Sequence, residues 1–553
     1  MGKMFKVEFK GLIEKEFEEN TTFLEISKQF QKYFNFPILV ANVNNKITDL
    51  NEKITKKCDI DFYDRSSSIG NSIYGRCVSF MMILAVKRLL GKNVDVRIEH
   101  SIDKGFYCEL DYENVDKNLI KDIEKEMRKI SKEDLKFTKL SVPRLDAISF
   151  FKKEKSLDKV NVLKYISNTY VNLYRLDDLY DYFYSEMAYS TKDIDEFKLT
   201  YVKGNGFVVN YPNVYVPDYT YDYVHHPMMF DAYFKYTKWG ERQGISNAAD
   251  LNKVVSEGRT DEIIRLAETA YNNQLANVAE EIAKNKKIKL VLIAGPSSSG
   301  KTTSAQKLAI HLKCEGVVPH QISIDDYFVD KKNTPLDENG EPDFESLNTV
   351  DVELFNKHLL KLLDGEKVLL PQYNFKLGKR EYKNKWLQLK EGDVIIIEGL
   401  HALNDNLIMS VDRQNKYKIY ISPLTQLNID DHNRIHTSDT RRLRRIVRDN
   451  KYRNFSAAET LKMWSKIRAG EEKNIFPFQD DADVVVNSAL LYEIGVLKTY
   501  VEPLLFSVPE NDEVYHEALR LINFLRNFLP IPSDSVPSDS VLREFIGGSC
   551  FRD

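Results

Sequence analysis

Cysteine is scarce in this sequence. The chain of 553 residues contains only five cysteines, and no two of them are spaced as Cys-x-x-Cys. Scattered single cysteines argue against a disulfide framework and against a zinc site built from thiolates. The pattern is typical of a protein from a reducing compartment.

A strong charge of one sign and long apolar runs are also missing. The formal net charge is −4, so no global field attracts the chain to nucleic acid or anionic lipid. No uninterrupted apolar run reaches the roughly 18 residues that a membrane-spanning helix needs. The N-terminal stretch MGKMFKVEFKGL lacks the apolar core of a signal peptide. These absences predict a cytoplasmic protein with no membrane partner.

The length and the hydrophobic pattern indicate several domains. A chain of 553 residues is too long for a single core. Short strands and helices are mixed up to about residue 215, and two polar helical stretches follow over 248–285. Apolar strands then alternate with helices, which indicates a mostly parallel sheet. The sequence therefore predicts a multidomain chain, with an α+β N-terminal half followed by an α/β domain. The repeat PSDSVPSDSV within Pro530–Val541 predicts a flexible surface segment.

A phosphate-binding loop is the strongest motif. The segment GPSSSGKT fits G-x-x-x-x-G-K-[ST], with an apolar strand before it and a helix after it. In such a loop, backbone N–H groups and a helix N-terminus converge on phosphate oxygens. Lys301 adds a cation, and the Thr302 hydroxyl can bind Mg²⁺. We expect ATP and Mg²⁺ to bind here, through Gly295, Pro296, Ser297, Ser298, Ser299, Gly300, Lys301, Thr302 and Thr303.

Two acidic residues lie at or near the ends of later apolar strands. Asp325 follows Ile322-Ser-Ile, and Glu398 ends VIIIE. Open α/β sheets place their sites at the C-terminal ends of strands. Asp325 can accept the proton of an attacking hydroxyl, unless it or Asp326 caps a turn. Glu398 can hold Mg²⁺ directly or through water.

An arginine-rich segment follows at 441–448. A run of charges is usually a solvated helix face. Phosphoryl transfer, however, needs mobile cations over the transferring group. We therefore predict that this segment is a lid, in which Arg445 and Arg448 act on the phosphates.

Taken in this order, the motifs resemble the uridine kinase and phosphoribulokinase family over residues 286–505. The resemblance implies that Asp325 is the catalytic base. It also implies a substrate pocket in which Glu345 contacts the ribose and two aromatic residues flank the base, the full set being Glu345, Tyr373, Phe375 and Arg380. Gly378 stands where uridine kinases carry the histidine that reads the pyrimidine. The acceptor hydroxyl is therefore expected on a sugar whose base need not be uracil.

The N-terminal half resembles parts of threonyl-tRNA synthetase. Residues 1–64 look like a TGS domain, through Val40–Leu50 and Cys58–Phe62. Residues 65–215 resemble the editing region, through the segments AVKRL, DKGFY and FKL. The family's HxxxH and CxxxH ligand places fall on four residues that cannot replace those ligands, namely Arg76, Phe80, Phe183 and Met187. The resemblance implies a fold retained without the hydrolase chemistry or its zinc, in a half that binds RNA, a nucleotide or the kinase half.

The expected activity is that of an ATP-dependent nucleoside kinase, which transfers the γ-phosphoryl group to a ribonucleoside 5′-hydroxyl. Two alternatives stay open: a kinase of another sugar or small metabolite, as in phosphoribulokinase, and an RNA-binding regulatory NTPase. Asp325 and Glu345 argue against the NTPase, because a switch needs no acceptor pocket. The expected units are 1–64, 65–215, a helical connector over 216–285, the kinase domain over 286–505 and a C-terminal helix and tail over 506–553. The sequence leaves the oligomeric state open.

Overall fold

The N-terminal residues form a mixed five-stranded sheet. The computed structural model describes residues 4–9, 13–337, 340, 342–374, 377–425 and 427–551. The first strands pair in the order β2-β1-β5-β3-β4. Alternating burial along the first strand places Phe5, Val7 and Phe9 in a core that the first helix covers. The elements are β1 (Met4–Phe9), β2 (Ile13–Glu18), α1 (Phe23–Phe30), β3 (Val40–Val43), β4 (Lys46–Thr48) and β5 (Cys58–Tyr63).

The next region contains two antiparallel sheets. One has the order β11-β12-β7-β6 and the other β10-β9-β8. The elements are α2 (Ser68–Leu90), β6 (Val96–Ile102), β7 (Gly105–Leu110), α3 (Lys117–Lys132), β8 (Thr138–Pro143), α4 (Arg144–Lys153), α5 (Leu157–Lys164), β9 (Tyr170–Leu176), β10 (Leu179–Tyr182), β11 (Lys198–Tyr201) and β12 (Gly206–Asn210). This arrangement confirms the predicted mixed α/β character of the N-terminal half.

Helix α2 is the central helix of this region. The Ser67 side chain accepts a hydrogen bond from the Gly70 N–H and starts the helix. By length and composition α2 could cross a membrane, but 78% of its most apolar window is buried inside the protein. A helix that is apolar on all sides is expected at the centre of a core. The burial of α2 is therefore explained by packing.

Three helices follow: α6 (Pro227–Arg242), α7 (Ala248–Ser256) and α8 (Thr260–Lys284). Asn247 and Asp250 form a capping box that starts α7. Buried residues of α8 share one hydrophobic core with the C-terminal sheet and with α4 and α5 of the N-terminal half. The 25-residue helix α8 therefore packs on the C-terminal half along its length.

The C-terminal half is built on a five-stranded sheet in the order β14-β19-β13-β20-β21, and all of its pairings are parallel. This confirms the predicted α/β domain. Its elements are β13 (Leu290–Ala294), α9 (Lys301–Cys314), β14 (Pro319–Ser323), α10 (Val352–Leu363), β15 (Val368–Leu369), β16 (Gln372–Asn374), β17 (Lys379–Glu381), β18 (Trp386–Leu387), β19 (Val394–Glu398), β20 (Lys416–Ser422), α11 (Thr437–Arg453), α12 (Ala457–Asn474), β21 (Val484–Asn487), α13 (Glu493–Phe506), α14 (Tyr515–Leu525) and α15 (Arg543–Ile546).

The C-terminal segment corrects one prediction. The repeat within 530–541 is not a flexible surface segment, because Ile531, Val536 and Val541 are buried in the core of the C-terminal half. Asp539 forms an ion pair with Lys307 of α9, whose side chain is 3% exposed. The proline, serine and aspartate residues of the repeat suggested a solvated tail, but the isoleucine and the two valines between them are packed in the core.

The loop between β20 and α11 joins the two halves. The carbonyl oxygen of Asp431 in this loop accepts a hydrogen bond from the Ile98 N–H, with an N···O distance of 2.8 Å. The buried Lys159 of α5 forms an ion pair of 2.6 Å with Asp430. Asn428 donates to the carbonyl of Ile98 at 3.0 Å. These contacts fix residues 428–431 of the C-terminal half against the N-terminal half.

Candidate active site

The phosphate-binding loop connects β13 to α9. Gly300, the N-cap of α9, has a φ of +85°, which favours glycine. A Cβ atom at Gly295 would lie 2.0 Å from the carbonyl oxygen of Ile421. Both glycines are therefore required by the close packing of the loop. The side-chain oxygens of Ser298 and Ser299 are buried without a hydrogen-bond partner, so the described part of the loop has unused polar groups.

Lys301 begins α9 and turns back over the loop. Its ammonium group donates to the carbonyl oxygens of Gly295 at 2.9 Å and Pro296 at 3.3 Å. It also lowers the pKa values of Asp325, Glu345 and Glu398, whose net shifts are all upward. The predicted lysine therefore lies close to the three predicted carboxylates. From the loop, its ammonium group is also placed to bind the outer phosphates of a nucleotide.

Glu398 ends β19 and is paired in register with Ser323 of β14 and Ile293 of β13. Burial and, after it, the nearby charge of Asp325 raise the pKa of Glu398 to about 7. Lys301 and a hydrogen bond from Ser323 act in the opposite direction. A carboxyl group whose pKa is raised this far, beside a second carboxylate and a lysine, marks a candidate functional site.

Asp325 and Asp326 have different environments. The Asp326 carboxylate accepts a hydrogen bond of 3.1 Å from the Tyr373 backbone N–H, so it holds β16 in place. Burial raises the pKa of Asp325, and Asp326 raises it further, while Lys301 and Arg453 lower it. Asp325 thus faces the phosphate-binding side, and Asp326 has the structural role.

Glu345 lies beside α12. A Cβ atom on Gly470 would lie 2.6 Å from the Cβ and Cγ of Glu345, so the missing side chain makes room for the glutamate. Burial, together with the charges of Glu471 and Asp325, raises the pKa of Glu345 to about 7. Arg445 and Lys301 oppose it. Glu345 therefore shares the electrostatic environment of the phosphate-binding loop.

Helix α11 differs from the predicted mobile lid. Arg441 is 2% exposed and forms an ion pair with Glu471. The distance between Arg441 Nη2 and Glu471 Oε2 is 2.8 Å. Arg444 is fully buried and forms an ion pair of 2.7 Å with Glu493. Buried ion pairs are costly to break. The helix is accordingly packed onto the loop in this structure, and the lid interpretation is corrected for this part of the segment.

The two arginines predicted to act lie one turn further along α11. Arg445 donates a hydrogen bond of 2.6 Å to the Ser297 hydroxyl of the loop. Arg445 and Arg448 form ion pairs of 3.0 Å and 3.3 Å with the buried Asp449. Arg445 is thus in direct contact with the phosphate-binding loop, whereas Arg448 is held beside it through the shared aspartate.

Two of the remaining predicted substrate residues, Tyr373 and Arg380, lie on the β16–β17 hairpin. The Tyr373 ring contacts Phe328 edge-on, with ring centroids 5.7 Å apart. Arg380 donates two hydrogen bonds of 3.0 Å to a carboxylate oxygen of Asp351, which occupies its guanidinium group. Phe375 lies outside the described residues. The hairpin is thus next to Asp326, but Arg380 is engaged with the protein.

Three charged residues of the site had no recognised role in the sequence. Arg453 lowers the pKa of Asp325, and Glu471 accepts a hydrogen bond of 2.9 Å from the Ser297 N–H. Glu544 accepts a hydrogen bond of 2.8 Å from Thr303 and raises the pKa of Glu398. Arg453 continues the arginine spacing of α11 and could have been found. Glu471 and Glu544 carry no motif.

The donor set fits a divalent cation. The charge of Asp325 raises the pKa of Glu398, and Lys301 lowers the pKa of both carboxyls. A cation between carboxylates relieves such repulsion. Oxygen donors from one carboxylate, one hydroxyl, water and phosphate are typical of Mg²⁺. Thr302 and Glu398 are the residues that would hold it. Within the described residues, no three His, Cys, Asp or Glu side chains form a cluster suited to a metal.

The four residues at the predicted metal-ligand positions of the N-terminal half, Arg76, Phe80, Phe183 and Met187, lie close together. The rings of Phe80 and Phe183 are 5.2 Å apart. Arg76 donates a hydrogen bond of 2.5 Å to the carbonyl of Glu186, and Met187 contacts Cys77 at 3.7 Å between sulfur atoms. Phe80, Phe183 and Met187 are buried, so side-chain packing fills this place.

Comparison with known proteins separates the two halves of the chain. Residues 290–493 match the model of the Phosphoribulokinase / Uridine kinase family. The threonine–tRNA ligase of Carboxydothermus hydrogenoformans is 30% identical over 203 residues, which cover 36% of this chain and 32% of the ligase. The chain thus spans about a third of the length of the curated relatives it matches.

Two solved structures resemble the kinase half weakly. A possible uridine kinase from Bacillus stearothermophilus is 19% identical in sequence; the match covers 36% of this chain and 89% of the neighbour's chain, with a TM-score of 0.25. A D-glycerate 3-kinase from Cryptococcus neoformans is 17% identical; the match covers 38% of this chain and 89% of the neighbour's chain, with a TM-score of 0.28. At these TM-scores the likeness carries no argument about substrate. A region similar to threonine–tRNA ligases is thus followed, at 290–493, by a region that matches the Phosphoribulokinase / Uridine kinase family.

Proposed function

We propose that this chain transfers the γ-phosphoryl group of ATP to the 5′-hydroxyl of a ribonucleoside. The single observation that carries the proposal is the position of Lys301 among three half-buried carboxylates, Asp325, Glu345 and Glu398. Two of them, Asp325 and Glu398, lie at or just after the ends of parallel strands. A nucleotide switch needs a cation and a metal-binding carboxylate. A kinase needs, in addition, carboxylates for the acceptor.

The roles divide by position around the loop. Backbone N–H groups of the loop and the N-terminus of α9 bind the outer phosphates, and Lys301 neutralises charge on them. Bound Mg²⁺, at Thr302 and Glu398, would supply charge neutralisation between phosphates. Arg445, which contacts Ser297 at 2.6 Å, is close enough to the loop to stabilise charge that develops on the transferred group.

Asp325 is the proposed general base. Burial raises its pKa, and a raised pKa makes a carboxylate a better proton acceptor near neutral pH. Lys301 and Arg453 keep the ionised form accessible. Asp325 would accept the hydroxyl proton as the oxygen attacks the γ-phosphorus.

Glu345 is the proposed ribose contact. An ionised carboxylate accepts hydrogen bonds only, and its two oxygens can take both vicinal hydroxyls of a ribose. Without ligand, the pKa of Glu345 is raised to about 7. Hydrogen bonds donated by the two ribose hydroxyls would lower this pKa and favour the ionised carboxylate. A 2′-deoxyribose removes one of these donors and leaves a desolvated oxygen without a partner.

A second candidate is a kinase of a sugar without a base. Arg380 is engaged with Asp351, and Gly378 has no side chain to contact a base. Both observations weaken base recognition and leave the sugar contacts unchanged. Activity on base-free sugars would favour this candidate.

The test is a competition assay with ATP and Mg²⁺ against ribonucleosides, 2′-deoxyribonucleosides and base-free sugars. We expect ribonucleosides to exceed deoxyribonucleosides by about tenfold in kcat/KM, the effect of one hydrogen bond to a charged group. Glu345→Gln should reduce that ratio, whereas Glu353→Gln, at an exposed position of α10, should leave it unchanged. ATP hydrolysis with no phosphorylated acceptor in the whole panel would refute the proposal and favour the regulatory NTPase.

A further inference from the structure

The C-terminal segment passes over the start of α9, where the phosphate-binding loop ends. The Val541 side chain lies so close to the loop that a Cβ atom on Gly300 would be 2.3 Å from the valine Cγ2. Further along the segment, Glu544 accepts a hydrogen bond of 2.8 Å from the Thr303 hydroxyl. Thr303 directly follows Thr302, the residue that would hold Mg²⁺ together with a strand-end carboxylate. The segment therefore brings an additional carboxylate to the metal side of the loop.

The charge of Glu544 has no counter-charge in the part of the chain that the structure describes. The residue is half-buried, and the side-chain partner of its carboxylate is the uncharged hydroxyl of Thr303. Among the described residues, no lysine, arginine or histidine forms an ion pair with it. A carboxylate that is partly removed from water is costly unless a cation compensates it. Glu544 is therefore expected to favour a cation that binds close by.

The cations that belong to this segment or pack against it have other partners. Lys307 forms an ion pair of 2.5 Å with Asp539. Arg444, which lies over an aromatic ring of the segment, forms an ion pair of 2.7 Å with Glu493. Arg543, the neighbour of the glutamate in sequence, donates hydrogen bonds to backbone carbonyl groups. The cation that Glu544 favours is thus not supplied by these three side chains.

The electrostatic effect of Glu544 extends to the other residue that would hold the metal. After the larger effects of burial and of Asp325, the charge of Glu544 also raises the pKa of Glu398. The two carboxylates therefore repel each other across the metal side of the loop. A divalent cation between them would relieve this repulsion. The uncompensated charge of Glu544 and the site for Mg²⁺ thus lie in the same part of the molecule.

We propose that Glu544 is a positioning residue for the divalent cation of the bound nucleotide, on which it acts from outside the direct ligands Thr302 and Glu398. The hydrogen bond from Thr303 fixes the place of its carboxylate. Groups beyond the direct ligands commonly tune a metal site in this way. The inference rests on the nucleotide and metal sites of the proposed function and is independent of the acceptor.

Glu544 should make the site select the metal-bound form of the nucleotide. Without a metal, its negative charge opposes the negative phosphates that enter the loop. With a metal, the same charge attracts the cation that the phosphates carry. The residue lies outside residues 290–493, which match the kinase family. This selection would therefore be a contribution of the part of the chain that follows the matched region.

The experiment is a calorimetric titration of the full chain with β,γ-imido-ATP, a non-hydrolysable ATP analogue, in excess Mg²⁺ and again in EDTA. The ratio of the two dissociation constants measures how strongly metal and nucleotide favour each other's binding. Glu544→Gln keeps an oxygen that can accept from Thr303 and removes the charge. We expect this variant to lower the ratio by at least about tenfold, because the Mg²⁺ form binds more weakly and the metal-free form does not. Glu510→Gln, at an exposed position before α14, is the control and should keep the parent's ratio.

A second variant separates the charge from the fold. Glu544→Asp keeps the charge on a shorter side chain and should retain more of the ratio than Glu544→Gln. A ratio that is unchanged in Glu544→Gln would overturn the inference. Equal weakening of the Mg²⁺ and metal-free forms would show that the segment only supports the fold, and would overturn it as well. If Mg²⁺ has no effect on binding to the parent, the metal site of the proposed function fails, and this inference fails with it.

Discussion

Glu398→Gln should stabilise the ligand-free protein while it removes activity. In the folded chain the pKa of Glu398 rises from 4.5 to about 7, first because of burial and then because of Asp325. Such a rise corresponds to about 3 kcal/mol against the folded state once the group is ionised. Glutamine has nearly the same volume and no charge, so it removes this cost. Without ligand, we expect the variant to be more stable than the parent by about 1–3 kcal/mol at pH 8.

The sign of the pH dependence follows from the raised pKa. Below pH 4.5 the carboxyl is protonated in both states and the cost is absent. Between pH 4.5 and about 7 the unfolded chain is ionised at this residue while the folded chain keeps its proton, so the parent loses stability relative to the variant. Scanning calorimetry from pH 5 to pH 8 should therefore show two denaturation midpoints that diverge up to about pH 7 and stay apart above it. Glu391→Gln, an exposed neighbour before β19, should follow the parent. A gap that stays constant across this range, or a less stable variant at pH 8, would refute the reasoning.

Three further predictions test the site and its support. Lys301→Ala should abolish phosphoryl transfer, because the outer phosphates lose their cation; near-normal turnover would contradict the assignment of the loop. Asp325→Asn should keep ATP binding and lower the transfer rate by about 10²-fold or more, and an equal loss of ATP affinity in binding titrations would instead identify a metal ligand. Asp539→Ala leaves the buried Lys307 without its ion pair and should destabilise the kinase half by about 1–3 kcal/mol, visible as a lower thermal midpoint; an unchanged midpoint would mean that the C-terminal segment contributes little.

The sequence could predict those parts of the site that local pattern determines. The loop, with its flanking strand and helix, is encoded by consecutive residues. Asp325 and Glu398 follow apolar strands, and a parallel sheet brings such strand ends to one edge. Ser323 and Glu398 are indeed register partners. For the same reason, the sequence pattern identified the general position of the site.

The C-terminal segment and the carboxylate partners of α11 could not be predicted in this way. Glu471 and Glu493 neutralise Arg441 and Arg444 over distances of 30 and 49 residues, and no periodicity marks such pairs. A charged run looks like a solvated face until its partners are known. The PSDSV repeat misled for the converse reason, since composition gave no sign that Val541 would pack against Gly300.

The position of the C-terminal segment has a consequence for biosynthesis. Thr303 of the loop region pairs with Glu544, which is 241 residues later in the chain, and Val541 lies against Gly300. A ribosome delivers the loop long before it delivers this support. Domains fold as they emerge, at about 5–20 residues per second, so a nascent chain carries an unsupported phosphate-binding loop for roughly 10–50 seconds. Nucleotide binding by the finished protein should therefore report completed synthesis through residue 544, and a chain cut short after 536 should expose the apolar surface that the last turn covers.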